Sequence, residues 1–212
     1  MYVPAGFASD DLARLDALVG RDPFVTLVTV DGEGMPFASH LPVLYRRDDA
    51  GIVLEGHWAR PNPQGRHAGT ALAIVHGPHA YVSAGWYPDK ASAGRVPTWN
   101  YEAAHLRGTL ETFDDADALA AVVDALSRVH EARAGGDWGF DRDDIRQTRM
   151  LAGIVGFRLR VAQVQIKRKL GQNHPRANMA AVIDRLQARG GREAEVAAAM
   201  AQLLPAPDDT RR

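Results

Sequence analysis

Four groups of residues in this sequence have types and spacings that suit chemistry. The first is Glu55-Gly56-His57-Trp58-Ala59-Arg60-Pro61-Asn62-Pro63-Gln64, which leaves the end of a strand for the start of a helical turn. Arg60 carries a planar guanidinium fork that matches a phosphate, and free backbone N–H groups at a helix entrance favour the same anion. A solvated arginine on a structural turn is the plainer alternative. The second group is Lys167-Arg168-Lys169-Leu170-Gly171-Gln172-Asn173. On a strand Lys167 and Lys169 share a face, because side chains alternate. Two ammonium groups on one face repel unless water or an anion matches them. A phosphate is one natural match, and a solvated basic edge strand is the other reading.

The third group is aromatic: Trp86-Tyr87 before a long loop and Trp99-Asn100-Tyr101 after it. Such rings pack in cores and interfaces and also cover flat ligands. The fourth is histidine, of which there are eight, with His57, His67, His76 and His79 close in sequence. Imidazole suits zinc or iron, but no carboxylate joins either pair at a recognised spacing, so no metal site is expected. Nucleophile-elbow, phosphate-loop, zinc-protease and dinucleotide motifs are missing. Asp31-Gly32-Glu33-Gly34 reads as a hairpin turn.

The elements that must position these residues are mostly strands. Ser9, Asp10 and Asp11 open a first helix, in which Leu12, Leu15, Leu18 and Val19 share a face and Gly20 ends the run. Phe24–Val30 and Phe37–Tyr45 form a strand pair, with Pro42 marking an edge or bulge. A polar turn over Arg46–Ala50 precedes a short strand at Ile52–Leu54. Residues 57–69 read as loop or short helix. Ala71–Val75 and Ala80–Ser83 are two strands broken at Gly77-Pro78. Residues 84–97 form a long loop, of the kind that is often functional. Thr98–Phe113 is extended, Asp114 caps a strong helix, and Gly153–Ile166 is a long strand. Lys167–Pro175 is a polar connection before two C-terminal helices that end near Leu204. Strands do not alternate with helices, so a doubly wound parallel sheet is not expected. The pattern predicts a mainly β fold: a mostly antiparallel barrel with peripheral helices.

Composition narrows the function classes. The 212 residues hold 25 lysines and arginines against 26 acids, and no cysteine. Cysteine nucleophiles, thiolate metal sites and disulfides are excluded, so a redox role would need a bound cofactor. The near-neutral charge gives no global basic field for nucleic acid. No apolar run approaches a membrane span and the start lacks a signal-peptide pattern, so a soluble cytoplasmic protein without membrane contact is expected.

Taken together, the motifs resemble the PaiB-like family, also described as FMN-binding negative transcriptional regulators. The stretches that carry the resemblance are Met1-Tyr2-Val3-Pro4 with Phe7; Ala38-Ser39-His40-Leu41-Pro42; Gly56-His57-Trp58-Ala59-Arg60 with Asn62-Pro63-Gln64; Gly77-Pro78-His79-Ala80-Tyr81-Val82-Ser83; Trp86-Tyr87; Val96-Pro97-Thr98-Trp99-Asn100-Tyr101; His130-Glu131; and Lys169-Leu170 with Gln172-Asn173. The resemblance implies an FMN-binding split β-barrel of the pyridoxamine-phosphate-oxidase-like kind over residues 1–175. A helical appendage follows over 176–204, and 205–212 is expected to be a frayed tail. It implies a homodimer with FMN in a groove at the interface.

On that basis Phe37, Ala38, Ser39 and His40 are expected to meet the polar edge of the flavin ring through their backbone. His57 and Asn62 are expected at the phosphate or ribityl chain, and Arg60, Lys167 and Lys169 at the phosphate. Trp99 and Asn100 are expected to come from the dimer mate, and Gln172 is also expected to bind the cofactor. The sequence departs from the family pattern at Pro61, Gly65, Ala84-Gly85 and Gly171, the last replacing a usual serine. A flavin-dependent redox or flavin-sensing role linked to regulation is the leading expectation, with no catalytic residue assigned. Direct DNA binding through Arg158, Arg160, Lys167, Arg168, Lys169 and Arg176 stays open, as does a heme or tetrapyrrole role using His76, His79 or His174.

Overall fold

The computed structural model describes residues 1–204, so the expected tail over 205–212 lies outside the described residues. In chain order the elements are β1 (Ala8–Ser9), α1 (Leu12–Arg21), β2 (Phe24–Val30), β3 (Pro36–Pro42), β4 (Leu44–Asp48), β5 (Gly51–Ala59), β6 (Gly69–Val82), β7 (Thr98–Phe113), α2 (Ala116–Ala134), α3 (Ile145–Met150), β8 (Ile154–Lys169), α4 (Arg176–Arg189) and α5 (Gly191–Ala201). The strand order is β3-β2-β6-β7-β8-β5-β4, with β1 paired to β8. The β1–β8, β2–β3, β2–β6, β4–β5 and β5–β8 pairings are all antiparallel. The mainly β, mostly antiparallel expectation therefore holds.

The chain divides into two compact units. One holds residues 1–14, 76–104 and 165 onward, and the other holds 15–75 and 105–164. In the second unit β2 alternates as a half-buried strand should, with Val25, Leu27 and Thr29 buried. Trp58 and Phe157 are buried there and pack as a tilted stack, ring centres 4.6 Å apart and planes at 41°. Gly56 makes that stack possible, because a Cβ at this position would lie 2.6 Å from the Phe157 ring. In the first unit α4 and α5 bury Val182, Leu186, Val196 and Met200 against Val82 and Leu170.

Several boundaries differ from the sequence reading, each for a local reason. The expected strand Phe37–Tyr45 is two strands. Pro42 ends β3 and the Val43 N–H donates to Pro23 O at 3.1 Å, after which β4 pairs with β5 instead of β2. The Arg46–Ala50 turn is shorter, since β4 runs to Asp48. β5 extends to Ala59, which puts His57 on a strand rather than in a loop. Gly77-Pro78 does not break β6. β2 pairs only with residues 72–74, so the N–H that Pro78 lacks is not required by that ladder. α2 is capped by Asp115, whose side chain accepts from Ala118 N, and not by Asp114. β8 continues through Lys167 to Lys169, where a connection was expected.

Candidate functional site

The second unit builds one polar network from β3 and the turn after β5. Asn62 caps the short 3-10 turn Pro63–Arg66 by accepting from Gln64 N, and its amide donates to Ser39 Oγ at 3.0 Å. Gln64 is fully buried. Its Oε1 accepts from Trp58 Nε1 at 3.1 Å, and its Nε2 donates to Leu27 O at 2.9 Å, Thr29 Oγ1 at 3.1 Å and Phe37 O at 3.2 Å. His67 Nδ1 lies 2.8 Å from Thr29 Oγ1, and its ring meets Phe37 edge-on at 5.9 Å. β3 is the end strand of the sheet, so Phe37, Ala38, Ser39 and His40 have one side of their backbone outside the β2 ladder. The His40 ring is tied to its own sheet, with Nδ1 3.0 Å from Thr26 Oγ1.

His57 is different in character. Burial pushes its pKa below the usual imidazole value, and its buried Nδ1 has no hydrogen-bond partner among the described residues. It is a neutral imidazole near pH 7, so it offers a hydrogen bond but no positive charge. Arg60 donates from Nε to Ala152 O at 2.6 Å and from Nη2 to Ile154 O at 2.9 Å. Nη1 has only a distant carboxylate, Asp114 at 3.8 Å. Arg60 lines a cavity of about 370 Å³ with Gly65, Arg66, Thr112, Phe113, Asp114 and Val155. A Cβ at Gly65 would make only ordinary contacts with Val155 and Trp58, so an alanine fits there.

The first unit holds the other expected residues. Lys167 is buried, donates to Tyr2 O at 3.1 Å and lies over the Tyr2 and Tyr101 rings at 5.7 and 5.3 Å. Its charge is met by a carbonyl and two ring faces. Lys169 donates to Thr98 Oγ1 and to Trp99 O at 2.6 Å. Burial, then the charge of Lys167, lowers its pKa. Asn100 is buried and donates to Met200 Sδ at 3.3 Å. Gln172 closes its own turn, accepting from Leu170 N and donating to Arg168 O and Gly6 O. Trp99 is half exposed, with His79 and Tyr81 each 6.2 Å from its ring. Gly171 has φ +81, a left-handed conformation that glycine adopts without strain.

Sequence reasoning missed the partners of the long loop. Asp89 forms a two-pronged pair with Arg95 and accepts from the buried Asn178 at 2.8 Å. His174 stacks on Tyr87 at 4.8 Å. Nothing in the spacing of these residues signalled either contact. Arg95 and then the Asn178 bond hold the Asp89 pKa down, to about 2 from 3.8. A folded pKa below the unfolded one means the contribution is present above about pH 4 and is lost as pH falls towards 2. Wild type and Asp89→Asn should therefore differ in urea midpoint at pH 6 and converge by about pH 2; a constant difference across that range contradicts the pairing.

The family model described as "Putative FMN-binding domain" matches residues 1–163. The chain is also 33% identical over 191 residues to protease synthase and sporulation protein PAI 2 of Bacillus subtilis, covering 88% of this chain and 89% of that one. The chain belongs to the FMN-binding domain family. FMN is accordingly its cofactor. A solved FAD and heme binding protein from Mycobacterium smegmatis shares the fold, with TM-score 0.57 and 21% identity over 76% of this chain and 73% of that one. So does a 5-nitroimidazole antibiotic resistance protein, so named provisionally, from Bacteroides thetaiotaomicron, with TM-score 0.56 and 14% identity over 76% and 85%. The split β-barrel class expected from the sequence is thus the fold of this FMN-binding family member. Among the described residues no helix is long and apolar enough to cross a membrane.

Proposed function

We propose that this member of the FMN-binding family is a homodimeric flavoprotein whose FMN lies along β3 of one chain and is enclosed by the first unit of its twin. The observation that carries the reading is the Gln64 network. It fixes the turn after β5 against an end strand and presents Ser39 and Asn62 beside the side of the Phe37–His40 backbone that faces away from β2. Such backbone suits the alternating donors and acceptors on a flavin ring edge. The residues present fit the rest of FMN. Arg60 keeps donors beyond its two carbonyls, and Arg66 shares its cavity, so a phosphate would meet two guanidinium groups against one carboxylate. The neutral imidazole of His57 suits a ribityl hydroxyl better than a dianion.

Exposed aromatic surface supports the second copy. Tyr81 and Trp99 are about half exposed and meet edge-on at 6.2 Å, a patch of the kind that partners cover. When bound, FMN supplies electron transfer. The protein's part is to bind it, orient it and exclude water. A role in regulation would then follow flavin occupancy or redox state. Direct DNA contact is less favoured, because Arg158, Arg160 and Arg168 each face a carboxylate, on Glu55, Glu111 and Glu102.

Titrating the purified protein with FMN should quench flavin fluorescence to an end point near one per chain. Arg60→Ala should weaken binding roughly ten- to hundredfold, as expected for a lost charge-assisted hydrogen bond. Sedimentation of the FMN-loaded protein should give a dimer. No spectral change at high FMN would refute the flavin reading, and an FMN-loaded monomer would refute the shared groove.

A further inference from the structure

We infer that the cavity in the first unit is a separate binding site for a small organic acid, held through its carboxylate by Lys169. The cavity measures about 380 Å³ and is lined by Phe7, residues 93–98, Asn100, Lys169, Gly171, Asn173 and His174. That volume falls in the range of small-molecule sites, which pair apolar walls with a few polar groups. Phe7, Val96 and Pro97 supply the apolar wall. Thr98, Asn100, Asn173 and His174 supply the polar one.

Charge decides the ligand class. The ionisable lining groups are Arg95, Lys169 and His174, and no acid lines the cavity. Asp89 already matches Arg95 in a two-pronged pair. Burial, then the Arg95 charge, lowers the His174 pKa, so this imidazole is neutral, and its buried Nδ1 has no partner. Among the described lining residues one cation, Lys169, lacks a matching carboxylate. Its ammonium has three N–H donors, of which Thr98 Oγ1 and Trp99 O take two. It is partly buried and sits near a second ammonium, an arrangement that a bound anion relieves. A single positive charge beside an apolar wall matches a monoanionic carboxylate on an apolar body better than the dianionic phosphate of FMN. The site does not depend on the flavin reading above.

Equilibrium dialysis of the full-length protein with labelled benzoate tests this, with benzamide as its neutral counterpart. Benzoate should saturate near one per chain, and benzamide should bind at least about tenfold more weakly. Lys169→Gln should weaken benzoate roughly ten- to hundredfold. Val96→Trp places bulk at the cavity from a highly exposed position, where folding is not at stake, and should abolish benzoate binding while FMN still binds. The inference is overturned if benzoate does not saturate, if benzamide binds equally, or if Lys169→Gln binds benzoate like wild type. Loss of FMN together with benzoate in Val96→Trp also overturns it, because the cavity would then belong to the flavin site. A wild-type protein that takes benzoate but no FMN supports this inference and overturns only the flavin reading.

Discussion

Replacing Gln64 with leucine is expected to destabilise the protein by about 3 kcal/mol, read as a lower urea midpoint at unchanged slope. Leucine keeps roughly the volume and loses the whole amide. The buried Trp58 Nε1–H then has no acceptor, since Gln64 Oε1 is its bonded partner. The oxygens of Leu27, Thr29 and Phe37 lose a donor at the same time. Each buried polar group stranded in this way costs about 1–3 kcal/mol, which exceeds the gain from a more apolar side chain. The coupling to Trp58 is separable. Trp58→Phe removes the stranded donor, so the double variant should be less destabilised than the sum of the two single changes. A Gln64→Leu protein within about 0.5 kcal/mol of wild type would show that the network is incidental. Because Gln64 ties Phe37 and the Asn62 turn together, the same change should weaken FMN binding even where the protein remains folded.

Gln64 also marks how far the sequence could be read. The run from Gly56 to Gln64 was legible as a cluster with a role, and Arg60 and Asn62 within it were chosen for their chemistry. Gln64 belongs to the same motif but its type announces no task, because an uncharged amide has no single chemistry. Its function comes from four partners on three segments that only folding brings together. Lys167 shows a different limit of the sequence. Alternation along a strand correctly put it on one face with Lys169, yet spacing could not reveal Tyr2 and Tyr101, which take up its charge. Both prolines mislead the strand boundaries, since the sequence pattern runs one strand through Pro42 and breaks one at Pro78. Pro42 does end a strand, because Val43 turns to bond Pro23. Pro78 does not, because it lies beyond the residues that β2 pairs. A missing N–H matters only where a neighbour requires it, and that neighbour is a tertiary fact.

Glu102→Ala is expected to cost about 3–5 kcal/mol, the range for removing one partner from a buried ion pair. The Glu102 side chain is 2% exposed and is held by two arginines that are themselves largely buried, Arg14 at 19% and Arg168 at 13% exposed. Arg14 Nη2 donates to both carboxylate oxygens, at 2.9 and 3.0 Å, and Arg168 Nε donates to Oε1 at 2.6 Å. Without the carboxylate, two guanidinium groups would face each other with only the Gln202 oxygen between them. The Arg14 Nε is already buried without a partner, so the cluster has no spare acceptor to absorb the loss. Glu102→Gln should cost less, since an amide oxygen still accepts while the charge is gone. Replacing all three with Met, Leu and Met removes the stranded charges and should recover most of the stability lost in Glu102→Ala. If the triple variant is as unstable as Glu102→Ala, side-chain shape and not charge governs this cluster. If Glu102→Ala is as stable as wild type, water reaches the arginines and the triad is not a buried one.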